Sequence, residues 1–150
     1  MPIITKPPLF LSRVKAYQGG IEQDIPSGVY TKVELNTKSY DSQDEFDIAV
    51  NFRWTAKTAG FYLFTSLVTW CPMAVGSRIC LLLCLNGNNI ATDLRRTSGD
   101  THLTNSVTDI RYVDPGDYYE IFVFQDSGAD ISLYIPDQMT RLAIHKLSEP

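Results

Sequence analysis

Side chains that could act as catalytic bases or nucleophiles are few in this 150-residue chain. It has two histidines, His102 and His145, and three cysteines. Nucleophilic catalysis by serine or cysteine needs a base held within hydrogen-bond reach, and that base is most often histidine. Neither histidine lies in a recognisable motif, and the sequence contains no phosphate-binding glycine loop and no zinc-protease helix motif. The sequence therefore predicts that the protein is not an enzyme.

The three cysteines are Cys71, Cys80 and Cys84, an odd number and too few to organise a domain of this size through disulfides. Cys80 and Cys84 invite a metal-binding interpretation. On a strand, however, they would stand on one face about four rises, or ~13 Å, apart, which is too far to bind one zinc ion. Buried apolar thiols are the favoured interpretation.

Carboxylates are the other candidate ligands, because oxygen-rich loops can hold calcium. They crowd two stretches, one with Asp41, Asp44, Glu45 and Asp47 and the other with Asp126 and Asp130. Neither stretch has the spacing of an EF-hand loop. The sequence predicts solvated acidic loops and no cofactor, with calcium as the alternative.

Charge and hydropathy narrow the range of partners. The net charge is -4 and the isoelectric point is near 5.0, so no global basic field would attract nucleic acid or anionic lipid. Arg95 and Arg96 form a local basic pair beside polar loop residues. The longest apolar run, residues 79–85, is far shorter than the ~20 residues of a membrane-spanning helix. We expect a soluble protein without nucleic-acid binding or membrane insertion, and no secretory signal in these residues.

The elements that must position these side chains are short strands. Segments rich in Val, Ile, Tyr, Phe and Thr are broken every eight to twelve residues by Gly, Pro, Asn or Asp, which is typical of a sandwich or barrel. The predicted strands are residues 10–16, 29–35, 48–55, 61–70, 78–85, 89–95, 103–113, 118–125, 130–134 and 141–147. The joints Asn86-Gly87 and Asp114-Pro115-Gly116-Asp117 favour tight reversals and hence antiparallel sheets.

The first eight residues differ from the rest of the chain. They contain three prolines, which donate no ladder hydrogen bond and are poorly suited to a central strand. We therefore predict an extended arm over residues 1–8 and one β domain over residues 9–150.

Two predicted strands carry more apolar surface than a lone sandwich needs. In residues 79–85 both alternating faces are apolar, and residues 61–70 behave similarly. There are two alternatives: loops of the same chain could cover the second face, or residues 79–85 could form a buried helix. Contact between subunits is the favoured interpretation, because such a patch would make a monomer prone to aggregate. The predicted contact residues are Phe61, Tyr62, Leu63, Phe64, Trp70, Cys80, Leu82 and Cys84.

The spacing of the aromatic residues resembles the C1q-like branch of the C1q/TNF superfamily. The resemblance lies in Trp54, a gap over residues 55–59, and Gly60-Phe61-Tyr62-Leu63-Phe64, with Leu35, Asp41 and Phe46 at the family's spacing upstream. Downstream, Gly116-Asp117-Tyr118-Tyr119-Glu120-Ile121 is similar to the family's Gly-Asp turn and penultimate strand. The likeness spans residues 10–147. Leu35 stands where the family has an aromatic residue, Trp54 replaces phenylalanine, and Ser66 occupies another aromatic position.

This resemblance implies a ten-strand antiparallel jelly-roll sandwich that packs as a homotrimer, often at the head of a longer fibre. We therefore expect a structural or receptor-binding module of a virion or extracellular surface, such as a phage head-fibre, decoration or tail protein docked on a capsid, tail or fibre protein. The alternative is a secreted C1q-like domain with lectin-like or cytokine-like binding. Scaffolds of this type carry binding residues on loops at one end. The candidate ligand residues are Tyr40, Asp41, Arg95, Arg96, Asp100 and His102.

Overall fold

Strands make up nearly all the regular structure in the computed structural model, which describes residues 11–99 and 101–150. Within these residues the strands are Arg13–Tyr17 (β1), Asp24–Ile25 (β2), Thr31–Lys32 (β3), Thr37–Asp41 (β4), Phe46–Asp47 (β5), Arg53–Thr55 (β6), Gly60–Trp70 (β7), Arg78–Leu85 (β8), Asn88–Arg96 (β9), Leu103–Val113 (β10), Tyr118–Gln125 (β11), Ile131–Tyr134 (β12) and Arg141–Ser148 (β13). One 3-10 turn covers Pro136–Gln138.

The strands form two antiparallel sheets. In the first sheet the strand order is β10-β7-β13-β1-β4. The short strand β12 pairs with the end of β7 and, on its other side, with β2. In the second sheet the order is β5-β6-β11-β8-β9, with β3 also beside β11. The predicted all-β antiparallel sandwich is confirmed, and so is the predicted strand over 78–85, which forms β8; the alternative of a buried helix over 79–85 is wrong.

Tight turns connect the strands at the positions that the sequence indicates. Asn86 and Gly87 have φ of 50° and 80° and join β8 to β9, with Leu85 opposite Asn88. Positive φ at both central residues gives a turn whose twist matches that of the flanking strands. At the β10–β11 joint the Asp117 amide donates to the Asp114 carbonyl at 3.1 Å.

Aromatic side chains hold the two sheets together. Trp54 and Tyr119 come from the second sheet, Tyr62 and Phe64 come from β7, and all four are fully buried. The Phe64 and Tyr119 rings stack with centroids 3.7 Å apart, and the Trp54 and Tyr62 centroids lie 5.0 Å apart. The aromatic spacing in the sequence therefore corresponds to an inter-sheet core.

Two segments are less regular than predicted. Only residues 31–32 of the predicted strand 29–35 join a ladder, because the Gln23 side chain binds the Lys32 carbonyl and the Glu34 amide. In the predicted strand 48–55, the Asp47 carboxylate accepts hydrogen bonds from the amides of residues 49–51. Because of this turn, the strand β6 begins only at Arg53.

The predicted arm over residues 1–8 lies outside the described residues. Among residues 11–99 and 101–150 no helix is long and apolar enough to cross a membrane.

Candidate functional site

The predicted contact residues of β7 divide between the two faces of the first sheet. Tyr62, Phe64 and Trp70 point between the sheets and are fully buried within the chain. Phe61 and Leu63 point to the outer face, where Phe61 is exposed and Leu63 is half-buried. Because a strand alternates its side chains, only Phe61 and Leu63 can contact another molecule from this set.

The predicted contact residues of β8 lie on the opposite side of the sandwich. Cys80, Leu82 and Cys84 point to the outer face of the second sheet, while Ile79, Leu81 and Leu83 fill the core. β11 places Phe124, Phe122 and Glu120 beside Cys80, Leu82 and Cys84 in the same sheet, and within the single chain the two cysteines are buried while Leu82 is half-buried. Neighbouring strands of the same chain therefore account for the burial of Cys80 and Cys84, and Leu82 stays partly accessible to a second molecule.

The two cysteines on β8 are buried and free. The described cysteines form no disulfide, and burial raises the pKa of the Cys80 and Cys84 thiols above its ordinary value. The interpretation of Cys80 and Cys84 as buried apolar thiols is confirmed. Cys71 is only partly buried.

The outer face of the first sheet carries an exposed apolar patch. Phe61, Ile110 and Tyr112 are 45 %, 59 % and 40 % exposed, and the Phe61 and Tyr112 rings meet edge to face at 5.5 Å. Ile110 lies opposite Leu63 in the β7–β10 ladder. We call these four residues the β7–β10 patch. The sequence analysis did not select Ile110 and Tyr112. Their alternation with Asp109 and Arg111 indicates a surface shared with Phe61 and Leu63 only once β10 is known to pair with β7.

A groove lies beside this patch. Tyr40 from β4 and His145 from β13 meet across it, with the Tyr40 hydroxyl 2.9 Å from His145 Nε2. One end has a volume of about 520 Å³ and is lined by Arg13, Asp41 and Ser42 together with Tyr40 and His145. The other end, of about 190 Å³, is lined by the pair with Leu63, Thr65 and Ala143. We call it the Tyr40 groove.

The candidate ligand residues do not form one site. Tyr40 and Asp41 lie on β4 at the edge of the first sheet, whereas Arg95 and Arg96 end β9 at the edge of the second sheet. His102 precedes β10, and its ring lies 4.2 Å from that of Tyr134. Asp100 lies outside the described residues.

The acidic stretch around Asp41 uses its carboxylates within the chain. Asp41 accepts the amides of Glu45 and Phe46 and pairs with Lys38 at 3.1 Å. Burial alone would raise the pKa of Asp41, but these hydrogen bonds outweigh it and hold the pKa below its ordinary value. Among the described residues no group of three or more His, Cys, Asp or Glu side chains is arranged to hold a metal ion.

Similar folds are found among solved structures. No protein-family model matches the sequence, and no curated protein matches it. Murine APRIL superposes with a TM-score of 0.70 at 14% identity, covering 91% of this chain and 99% of that one. Eiger TNF from S. frugiperda gives 0.72 at 10% identity, with 93% and 94% covered. The globular domain of zebrafish complement 1qA gives 0.65 at 15% identity, with 93% and 99% covered.

These similarities extend over nearly the whole length of each chain and include both a complement protein and TNF-type proteins. At such low identity they establish the fold alone. They agree with the resemblance in the aromatic spacing, since Trp54, Tyr62 and Phe64 lie together in the core. The chain has the jelly-roll fold of the TNF and C1q domains.

Proposed function

We propose that the protein is a non-enzymatic homotrimeric module whose copies associate through the β7–β10 patch. The observation that carries this proposal is the exposure of Phe61, Ile110 and Tyr112 on one sheet face. Contiguous aromatic and aliphatic surface of this kind favours burial against another molecule. The number three comes from the resemblance to the C1q-like branch, and a closed ring of identical contacts would cover the patch of every copy.

Covering the patch requires no change of the core. Phe61 and Tyr112 already contact each other in the single chain, so their relative orientation is held before association. A surface ordered in advance loses less side-chain entropy when a partner covers it. The residues behind it, such as Phe64 and Tyr62, are packed against the second sheet and support it.

The test is the mass of the native protein, measured by light scattering behind a sizing column. We expect a mass near three chains, each of 16.9 kDa. A monomer across a wide concentration range would contradict the trimer and remove the role proposed for the β7–β10 patch.

We propose two alternative biological settings, and the protein is a homotrimer in both. The first is a structural or receptor-binding part of a virion or cell surface, such as a phage head-fibre, decoration or tail protein with a capsid, tail or fibre partner. The second is a secreted ligand-binding domain, which the fold shared with murine APRIL and Eiger TNF supports. Mass spectrometry of gradient-purified particles and of the particle-free medium distinguishes them, because the first predicts the chain in the particles and the second in the medium.

A further inference from the structure

The Tyr40 groove has an uncompensated positive charge at one end. No side-chain hydrogen bond or ion pair joins Arg13 to a described residue, and Arg13 lines the groove. The only carboxylate in the lining is that of Asp41, which is already engaged by Lys38 and two backbone amides. A guanidinium offers a planar pair of donors that matches a carboxylate, so this end favours a bound carboxylate.

The middle of the groove supplies a further hydrogen-bond donor. Tyr40 and His145 are joined at 2.9 Å, and the donor in this bond depends on the tautomer of the imidazole. When His145 Nε2 carries the hydrogen, it donates to the Tyr40 oxygen and leaves the phenolic hydrogen for a ligand. A carboxylate held by Arg13 favours this tautomer, because it accepts the phenolic hydrogen bond.

The opposite end of the groove is apolar. Leu63 and Ala143 line it together with Thr65. Tyr40 and His145 line both this part of the groove and the part that holds Arg13. Small-molecule sites typically combine a mostly apolar wall with a few polar groups in a volume of ~300–1,000 Å³, which is the range of this groove.

We propose that the Tyr40 groove binds a small organic monocarboxylate, with its carboxylate on Arg13 and Tyr40 and its apolar body against Leu63 and Ala143. The occupant is defined by charge complementarity at one end and an apolar wall at the other. All residues of this site come from one chain, but Leu63 also belongs to the β7–β10 patch, so a bound ligand would share this side chain with the subunit contact. The titration is therefore compared with the mass of the protein: a trimer without saturable shifts would contradict this site alone, and a monomer with saturable shifts would contradict the proposed trimer alone.

The probe is benzoate, titrated into nitrogen-15-labelled protein at constant ionic strength and followed by amide chemical shifts. We expect saturable shifts around Tyr40 and His145. Benzamide keeps the ring without the charge and acetate keeps the charge without the ring, so each should bind at least tenfold more weakly.

The matched variants are Arg13→Gln and Arg96→Gln. Both arginines are exposed and lie on strands, but Arg13 lines the groove, whereas Arg96 ends β9 at the edge of the second sheet. R13Q should weaken benzoate binding at least tenfold, and R96Q should change it less than twofold. Absence of saturable shifts, equal binding of benzamide, or equal loss in both variants would overturn the proposal. The spectra of the unliganded variants report whether each remains folded.

Discussion

At the residue scale, the buried Glu45 carboxylate joins three separate parts of the chain. Its carboxylate accepts hydrogen bonds from the Ser12 hydroxyl and from Trp54 Nε1 and the Lys57 amide, at 3.0 Å and 3.1 Å for the last two. Glu45 is buried, so each donor would lose its partner without gaining water if this carboxylate were removed. This network fixes the loop before β5 against the start of β1 and the end of β6.

Glu45→Gln should destabilise the protein by about 1–3 kcal/mol, because the amide nitrogen of glutamine would face donors that need an acceptor. Urea denaturation of the variant measures the free energy of unfolding. The control is Glu34→Gln at an exposed position, which should change it by less than about 0.5 kcal/mol. Equal effects in the two variants would exclude a special role for the Glu45 network.

Asp47 gives the fold a dependence on acid pH. Hydrogen bonds from the Ala49, Val50 and Asn51 amides hold the pKa of this carboxyl well below its ordinary value. A lowered folded-state pKa stabilises the native state above the unfolded pKa of ~3.9, and this contribution is lost as pH falls toward the folded value.

Asp47→Asn should therefore lower the melting temperature at pH 7, and the difference from wild type should shrink as the pH is reduced below about 4. Thermal unfolding followed by circular dichroism across pH 2–7 measures it. Asp130→Asn, at an exposed loop position, serves as the control and should show no such trend. A difference that stays constant with pH would show that the Asp47 charge has no part in holding the turn.

At the element scale, substitutions on the two faces of β8 should differ in their effect on the free energy of unfolding. Leu83 is fully buried between the sheets, whereas Leu82 points outward and is half-buried beside Phe122. The two leucines are adjacent in sequence and identical in chemistry. Comparing them isolates the effect of the face from the effect of the residue type.

Leu83→Ala should cost about 2–5 kcal/mol, because it leaves a cavity in the inter-sheet core. Leu82→Ala should cost only about 1 kcal/mol, because its neighbours on an open face can relax. Chemical denaturation of both variants measures the costs. If L82A cost as much as L83A, the outer face of the second sheet would be packed like a second core and would not be an open face.

At the scale of the whole molecule, association depends on which sheet face is free. Ile110 on the first sheet and Leu94 on the second are aliphatic residues with almost equal exposure, 59 % and 57 %. Both lie on strands, and both point away from the core. They are therefore a matched pair for locating the contact between copies.

Ile110→Glu should convert the trimer into monomers, because it places a charge in a surface that would be desolvated on association. Leu94→Glu should leave the trimer intact. The masses of the two variants by light scattering, with circular dichroism to confirm folding, make the comparison. Dissociation by L94E but not by I110E would move the contact to the second sheet and contradict the assignment of the β7–β10 patch.

Much of the fold could be predicted because its signals are local. The turn at Asn86-Gly87 needs residues that tolerate positive φ, and both have it. The segment 37–41, by contrast, was not predicted as a strand because its residues are polar. It becomes β4 through backbone pairing with β1, a partner that lies far away in sequence.

The sequence by itself determined the fold class, the antiparallel reversals and the burial of Cys80 and Cys84, because alternation and turn chemistry act over a few residues. Only the tertiary structure decided which apolar face is covered. Cys80 is buried beside Phe124 of β11, whereas Phe61 joins Tyr112 on an open face. The Tyr40 groove likewise exists only because β4 and β13 both flank β1. The sequence specifies the type of each side chain. The neighbours of that side chain on a sheet, however, come from strands that pair over long sequence distances.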